Sequence, residues 1–255
     1  MKKTLLTICL VWMCFSLSAQ KIIDLSGKWS FSIDRQDNGE KEKWFSHTLN
    51  DFINLPGSMP EKLKGDEVTA KTQWTGSLYD SSYYYNPYME KYRKEGNIKF
   101  PFFLTPDKHY VGAAWYQKEV NIPADWKGER ILLFLERPHI ETTVWVNGQK
   151  TGMQNSLCVP HQYDITRYVR PGKCTITIRV DNRIKEINVG PDSHSITDQT
   201  QGNWNGIVGR ICLQTTPKTY FDDIQIYPEP EQKLARVKVV IKGTGTAKVK
   251  LSAES

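Results

Sequence analysis

The sequence predicts an all-β protein built as a sandwich. Apolar and polar residues alternate with a period of two along many short stretches, as expected of strands half buried in a sheet. Asn147-Gly148 lies between two such stretches and marks a two-residue hairpin, because both turn positions need positive φ. Helix signals are few. Many strands with turn punctuation and almost no helix imply sheets packed face to face.

The elements follow in order. Trp29, Phe31 and Ile33 alternate with Ser30, Ser32 and Asp34. Ala113 to Ile122 reads as a long strand, and Ile131 to Leu135 is apolar throughout, as in a strand buried on both faces. Val144 and Val146 flank Trp145, which faces the other way. Ile176, Ile178 and Val180 alternate with Thr175, Thr177 and Arg179. Ile207 to Leu213 and Tyr220 to Tyr227 complete the set. Asn86-Pro87 is suited to cap a short turn through Tyr92, with proline at the first helical position. Asp164-Ile-Thr166 followed by Pro171-Gly172 reads as a turn and then a strand.

Lys71 to Tyr110 is not obviously strand. It holds Trp74, Tyr79, Tyr83, Tyr84, Tyr85, Tyr88 and Tyr92. A loop this long usually has a function or docks against something. Its aromatics either pack onto a neighbouring domain or wall a cleft. After Pro228-Glu-Pro230 the strand pattern restarts, with Leu234 to Ile241 and Ala247 to Leu251 around Gly243-Thr-Gly245. Two strands alone are marginal. They read as the first hairpin of a second β domain whose remainder is absent.

Residues 1–19 have the form of a secretory signal: basic Lys2 and Lys3, a mostly apolar run from Leu5 to Leu17, and a small-residue cleavage site at Ser18-Ala19-Gln20. The apolar run is too short to span a bilayer comfortably. The expected destination is outside the cytoplasm, in the periplasm of a bacterium. The formal charge of +6 falls by two, to +4, once Lys2 and Lys3 leave. The charges are dispersed, with no basic block, which argues against nucleic acid as a partner.

Cys9 and Cys14 leave with the signal. Cys158, Cys174 and Cys212 remain and cannot all pair internally. Export permits a disulfide, but Cys174 and Cys212 lie inside strand patterns and read as small buried hydrophobes. His47, His109, His139, His161 and His194 are scattered without metal-ligand spacing, so no metal is expected. Asp34-Arg-Gln-Asp-Asn-Gly-Glu40 lacks the alternating ligands of a calcium loop and reads as a polar turn. Asp192-Ser-His194 contains triad residue types, but adjacency in sequence is not triad geometry. Glycine-rich phosphate loops are absent, and no cofactor is expected. Glu136 and Glu141 read as surface carboxylates.

The stretch from Asp198 to Arg210, Asp-Gln-Thr-Gln-Gly-Asn-Trp-Asn-Gly-Ile-Val-Gly-Arg, gathers a carboxylate, four amides and an indole before an apolar strand. Carbohydrate recognition asks for this chemistry. Planar amides and carboxylates bond vicinal hydroxyls in pairs, and an aromatic face packs on sugar C–H groups. Asp198, Asn203 and Asn205 are the candidate polar contacts and Trp204 the candidate stacking face. The alternative is a polar loop whose Asn and Asp bond their own backbone.

Several segments together resemble the N-terminal region of glycoside hydrolase family 2, which includes β-galactosidases and β-glucuronidases. Asp24-Leu-Ser-Gly-Lys-Trp-Ser-Phe31 resembles its opening strand and Ile53-Asn-Leu-Pro-Gly57 the following loop. Gly112-Ala-Ala-Trp-Tyr-Gln-Lys-Glu-Val120 is similar to its Trp-Tyr strand. Val144-Trp-Val-Asn-Gly148, Asp164-Ile-Thr166 and Arg179-Val-Asp-Asn182 follow in order, and Asn203 to Arg210 closes the region as in a Bacteroidetes-like branch. The resemblance covers roughly Asp24 to Tyr227.

It implies a jelly-roll sandwich of the galactose-binding-domain-like type, the sugar-binding domain of these enzymes, followed by an immunoglobulin-like domain and a TIM barrel. The expected layout is therefore residues 1–19 signal, 20–228 jelly roll, and 229–255 the start of a truncated immunoglobulin-like domain. The resemblance also implies retaining hydrolysis of β-glycosides by two glutamates in the barrel. No part of this chain resembles the barrel, so no catalytic residue is assigned and the chain alone is expected to be inactive.

In the family, an acidic residue of this domain reaches the substrate six positions before the glycine of the Gly-Ile pair. Here that position is Thr200, and the nearby acid is Asp198. The resemblance therefore carries the site to Asp198, Asn203, Trp204 and Asn205. A stand-alone exported carbohydrate-binding module, or a packing domain without sugar affinity, remain the alternatives, because a fold by itself is a weak warrant for function.

Overall fold

The computed structural model describes residues 21–76, 81–102, 104–185, 193–194, 196–244 and 248–252. The expected leader, together with Tyr79 and Asp192, lies outside them. The strands, in chain order, are β1 (Ile22–Asp24), β2 (Gly27–Asp34), β3 (Asp51–Leu55), β4 (Gly57–Ser58), β5 (Asp66–Glu67), β6 (Lys108–His109), β7 (Ala113–Ile122) and β8 (Arg130–His139). They continue as β9 (Glu141–Val146), β10 (Gln149–Asn155), β11 (His161–Asp164), β12 (Gly172–Asp181), β13 (Gly206–Thr216), β14 (Tyr220–Glu229) and β15 (Leu234–Lys242). The helical segments among the described residues are short 3₁₀ turns.

Two antiparallel sheets face each other as a jelly-roll sandwich. One runs β10-β9-β12-β7-β2-β3, and the other β1-β13-β8-β11 with β4 also paired to β13. The alternation seen in the sequence sends Trp29 and Phe31, Tyr116, Val144 and Val146, and Ile176, Ile178 and Val180 inward to meet Leu133, Leu135, Ile207, Ile211 and Leu213 in one core. Burial of this apolar area is the main force holding the sheets together. Cys174 and Cys212 are buried and unpaired, as their strand settings predict, while Cys158 is free and exposed.

The six-stranded sheet is buried on its outer face too, which simple alternation does not reveal. Residues 35–50 fold over it. Trp115 and Trp145 lie 5.0 Å apart beneath them, and Phe45 stacks flat on Trp145 at 5.2 Å. The Asp34 carboxylate accepts from the Trp115 indole and from the Asn38 and Gly39 N–H groups, so the 34–40 stretch is a polar turn. Glu141 corrects the expectation of a surface carboxylate. It is buried, and it accepts from Arg179 and Lys185 in a network that also holds Asp37, Asp181 and Arg183. Three of these charges, Glu141, Arg179 and Asp181, are buried, and pairing with one another and with Asp37, Arg183 and Lys185 at the rim offsets the cost of covering them.

The local turn signals are found where expected. Asn147 and Gly148 have φ of 50° and 77°. Asn86 caps the 3₁₀ turn Pro87–Tyr92, its side chain accepting from the Tyr88 N–H. One pairing differs. β15 pairs with β14 and not with a strand at residues 247–251, of which the described part, 248–251, carries no strand. After Pro228-Glu-Pro230, where the strand pattern restarts, the 3₁₀ turn Pro230–Gln232 and Lys233 at φ 53° reverse the chain into this hairpin.

Candidate functional site

The candidate loop enters β13 at one end of the sandwich. Its last residue, Asn205, is 0% exposed. Its Oδ1 accepts from the Tyr116 hydroxyl at 2.7 Å, and its Nδ2 donates to the Gly112 and Val180 carbonyls, each at 2.9 Å. All three amide hydrogen-bonding directions used here point into the protein, so Asn205 bolts the loop to β7 and β12. The next residue, Gly206, sits at φ 147°, and a Cβ there would lie 2.5 Å from the Gly57 carbonyl oxygen. Only glycine lets β13 approach β4 so closely.

Asp198 is 2% exposed and organises the loop from inside. Its carboxylate accepts from the Asn203 N–H at 2.8 Å and from the Thr75 N–H at 2.6 Å. Asn203 in turn donates from Nδ2 to Thr75 Oγ1 and to the Asn182 carbonyl. Thr200, at the position of the family's acid, spends its hydroxyl on the turn, donating to the His194 carbonyl at 3.1 Å.

Trp204 differs from these three. It is half-buried and stacks on the His139 imidazole, with centroids 4.5 Å apart and planes 26° apart. His139 ends β8 and pairs with Gly206 in register, which brings it under the indole. Burial pushes its pKa down to about 4, against the opposing pull of the Asn203 amide and the Asp198 carboxylate. His139 is therefore neutral at ordinary pH.

His109 faces Asp198 from the other side at 3.4 Å, and Trp74 lies edge-on to His109 at 4.6 Å. Trp74 Nε1, His109 Nε2, His139 Nε2 and Asn203 Oδ1 are buried without a hydrogen-bond partner. Such atoms are uncommon in folded proteins, and three of these residues, His109, His139 and Asn203, are neighbours of Asp198.

The four residues singled out in the sequence thus share one loop. The carboxylate and the two amides turn inward and set its shape, and Trp204 keeps exposed surface. Sequence reasoning passed over Thr75, His139, Tyr116 and Asn182 as partners of this loop. The one available signal was His139, a polar residue ending an apolar strand. Among the described residues, no cluster of His, Cys, Asp and Glu side chains is placed to hold a metal ion. No described helix is long and apolar enough to cross a membrane.

The fold is a jelly-roll β-sandwich domain, with one end loop that mounts a half-buried indole on a buried polar frame. The chain belongs to glycoside hydrolase family 2: the family described as "Glycosyl hydrolases family 2, sugar binding domain" matches residues 22–217. Among curated relatives it is similar to human Beta-glucuronidase, 24% identical over 89% of this chain and 34% of that protein. Beta-glucuronidase of Paenibacillus borealis is 25% identical over 81% of this chain and 31% of its own length.

Among solved structures, a Beta-glucuronidase from an uncultured Clostridium sp. superposes with a TM-score of 0.60 at 21% identity, covering 89% of this chain and 34% of that one. The Ruminococcus gnavus β-glucuronidase in complex with D-glucuronic acid gives 0.57 at 18% identity, covering 88% and 34%. The chain spans about a third of the length of the curated relatives it matches.

Proposed function

We propose that this chain is the non-catalytic, sugar-binding N-terminal region of an exported retaining β-glycosidase. Its 198–205 loop forms one wall of the substrate pocket. The observation that carries the reading is the family match over residues 22–217 in a chain that spans a third of its relatives. In this reading the two glutamates that cleave the glycosidic bond belong to a barrel domain outside these residues. Trp204 supplies the apolar face, and Asp198, Asn203 and Asn205, buried behind it, hold the loop in shape.

The names of the relatives favour a β-glucuronide over the β-galactoside that the family resemblance also allows. Asn203 to Arg210 supports a Bacteroidetes-like branch. Export rests on residues 1–19. It is checked by N-terminal sequencing of protein recovered from the periplasm, where a start at Gln20 is expected and retention of Met1 would count against it.

The test is expression of the gene's reading frame extended past the Ser255 codon. The extended protein is expected to hydrolyse p-nitrophenyl β-D-glucuronide faster than the β-D-galactoside, while residues 20–255 alone hydrolyse neither. Trp204→Ala in the extended protein is expected to raise KM. A stop codon at 256 with no barrel encoded downstream would sink the proposal.

A further inference from the structure

Two orphaned atoms at the candidate loop belong together. Asn203 Nδ2 uses both of its hydrogens, on Thr75 Oγ1 at 2.9 Å and on the Asn182 carbonyl at 3.0 Å. Turning the amide over would aim its oxygen at that carbonyl, so its orientation is fixed. Asn203 Oδ1 is then an acceptor, buried and without a partner, and His139 Nε2 is buried and without a partner too. The two groups are neighbours. Burial lowers the His139 pKa to about 4, and the Asn203 side chain is the stronger of the two groups that pull against it. An N–H on Nε2, donated to Asn203 Oδ1, satisfies both atoms at once.

The ring that this bond would hold lies under Trp204. Imidazole and indole centroids are 4.5 Å apart with planes 26° apart, a stacked contact. His139 closes β8 and pairs with Gly206 at the start of β13, so its backbone belongs to the sandwich and not to the loop. Asn203 and Asn205, on either side of Trp204, are buried and bonded to the body of the domain. Those bonds fix the backbone of the loop but leave the indole free to turn about its own side-chain bonds. The flat imidazole beneath limits that turn.

We propose that His139, as its Nε2–H tautomer bonded to Asn203 Oδ1, is a positioning residue that sets the plane in which Trp204 meets the sugar. Packing alone does not call for histidine here. Phenylalanine would fill the space under the indole without the cost of burying a polar ring, and that cost is offset only if the N–H is used. The bond also ties the stack into the Asp198–Thr75 contacts, because the same Asn203 gives its backbone N–H to Asp198 at 2.8 Å. An indole held flat before the ligand arrives loses less freedom on binding. That a sugar is what meets the indole rests on the proposed pocket; the tautomer and the orientation of the ring do not.

The first tests are spectra of the purified mature chain. Long-range proton–nitrogen correlation at pH 7.5, with the His139 ring assigned by its loss in His139→Gln, should show the Nε2–H tautomer. The Nδ1–H form, or a mixture of the two, would overturn the proposal. With fluorotryptophan incorporated, the Trp204 fluorine signal, assigned by its loss in Trp204→Phe, should be single and sharp. His139→Gln keeps an N–H donor but has no flat ring. In that variant the signal should broaden or split while the other tryptophan signals hold their places, and a Trp204 signal as sharp as in the wild type would again overturn the proposal. In the enzyme extended past Ser255, His139→Gln should raise KM by about threefold to tenfold, change kcat less, and add little to Trp204→Ala in the double variant. A KM raised by Trp204→Ala but not by His139→Gln would refute the positioning role and leave the pocket standing. A KM unchanged by Trp204→Ala would sink the pocket reading instead, and the two spectra would then decide the role of His139.

Discussion

Asp198 grips Thr75 on both sides of one residue. The Asp198 N–H donates to the Thr75 carbonyl at 3.2 Å, and the Asp198 carboxylate accepts from the Thr75 N–H at 2.6 Å. The two residues are far apart in sequence, one in the aromatic excursion and one in the loop that leads into β13. Through this pair the excursion and the candidate loop are tied together, and Asn203 adds a third link to Thr75 Oγ1.

Asp198→Ala should therefore loosen the excursion more than it loosens the sandwich. The Thr75 and Asn203 N–H groups lose their acceptor in a buried setting, a cost of roughly 2–4 kcal/mol. Trypsin should then cut more rapidly at Lys71, Lys91, Arg93, Lys94 and Lys99, before global unfolding. Limited proteolysis with mass spectrometry reads this directly, and cutting rates equal to wild type would contradict the coupling.

Neighbouring residues of the loop should respond in opposite ways. Asn205→Ala removes the acceptor of the Tyr116 hydroxyl and one donor to each of the Gly112 and Val180 carbonyls, in a fully buried setting. It should lower stability by roughly 3 kcal/mol or more. Trp204→Ala removes a half-buried ring and should cost no more than about 2 kcal/mol. Urea denaturation compares the two, and an order of effects reversed from this would show that Asn205 is not the bolt.

The sandwich was legible because its strands alternate and its turns use Asn-Gly and Pro-Gly, which obey local rules. The outer cover of the six-stranded sheet was not. Trp115, Trp145, Glu141 and Arg179 lie on the face that alternation assigns to solvent, and only the tertiary fold of residues 35–50 buries them. The β14–β15 pairing was missed for a related reason. Two prolines around Glu229 look like a break between domains, while Lys233 supplies the positive φ that closes a hairpin. At the candidate loop, residue types announced a polar–aromatic cluster. Sequence could not tell which side chains face inward, because that depends on Thr75, Tyr116 and Asn182, distant in the chain.

Gly206→Ala should be among the most damaging single-methyl additions. The new Cβ would stand 2.5 Å from the Gly57 oxygen and 2.8 Å from the Ser58 Cα, both backbone atoms, at a φ that alanine disfavours. Relief requires separating β4 from β13, which also releases the Met59 N–H from the Asn205 carbonyl. A melting temperature lowered by roughly 10 °C or more is expected. A variant melting within a degree or two of wild type would show that the strands can part without loss.

Acid should destabilise the domain in two stages, and the first belongs to histidine. Burial pushes His139 down to about 4, and burial also lowers His161, whose ring bonds Thr142 Oγ1 and the Ser156 carbonyl. In the unfolded chain both return to near 6.5. Between those values the unfolded state binds protons that the folded state refuses. Stability is then complete above about 6.5 and falls as the pH drops toward 4, by on the order of 3 kcal/mol for His139. The second stage lies lower. Burial opposes ionisation of Asp181, but hydrogen bonds from Arg183 and Lys185 outweigh it and hold the carboxyl below its usual range, so its contribution persists until the pH falls below about 3.8. Urea midpoints measured from pH 7.5 to 4.5 should decline in the wild type and decline less in His139→Gln, which keeps a neutral polar side chain under Trp204. Parallel curves for the two proteins would mean that His139 takes up its proton in the folded state, and that the indole does not shield it from solvent.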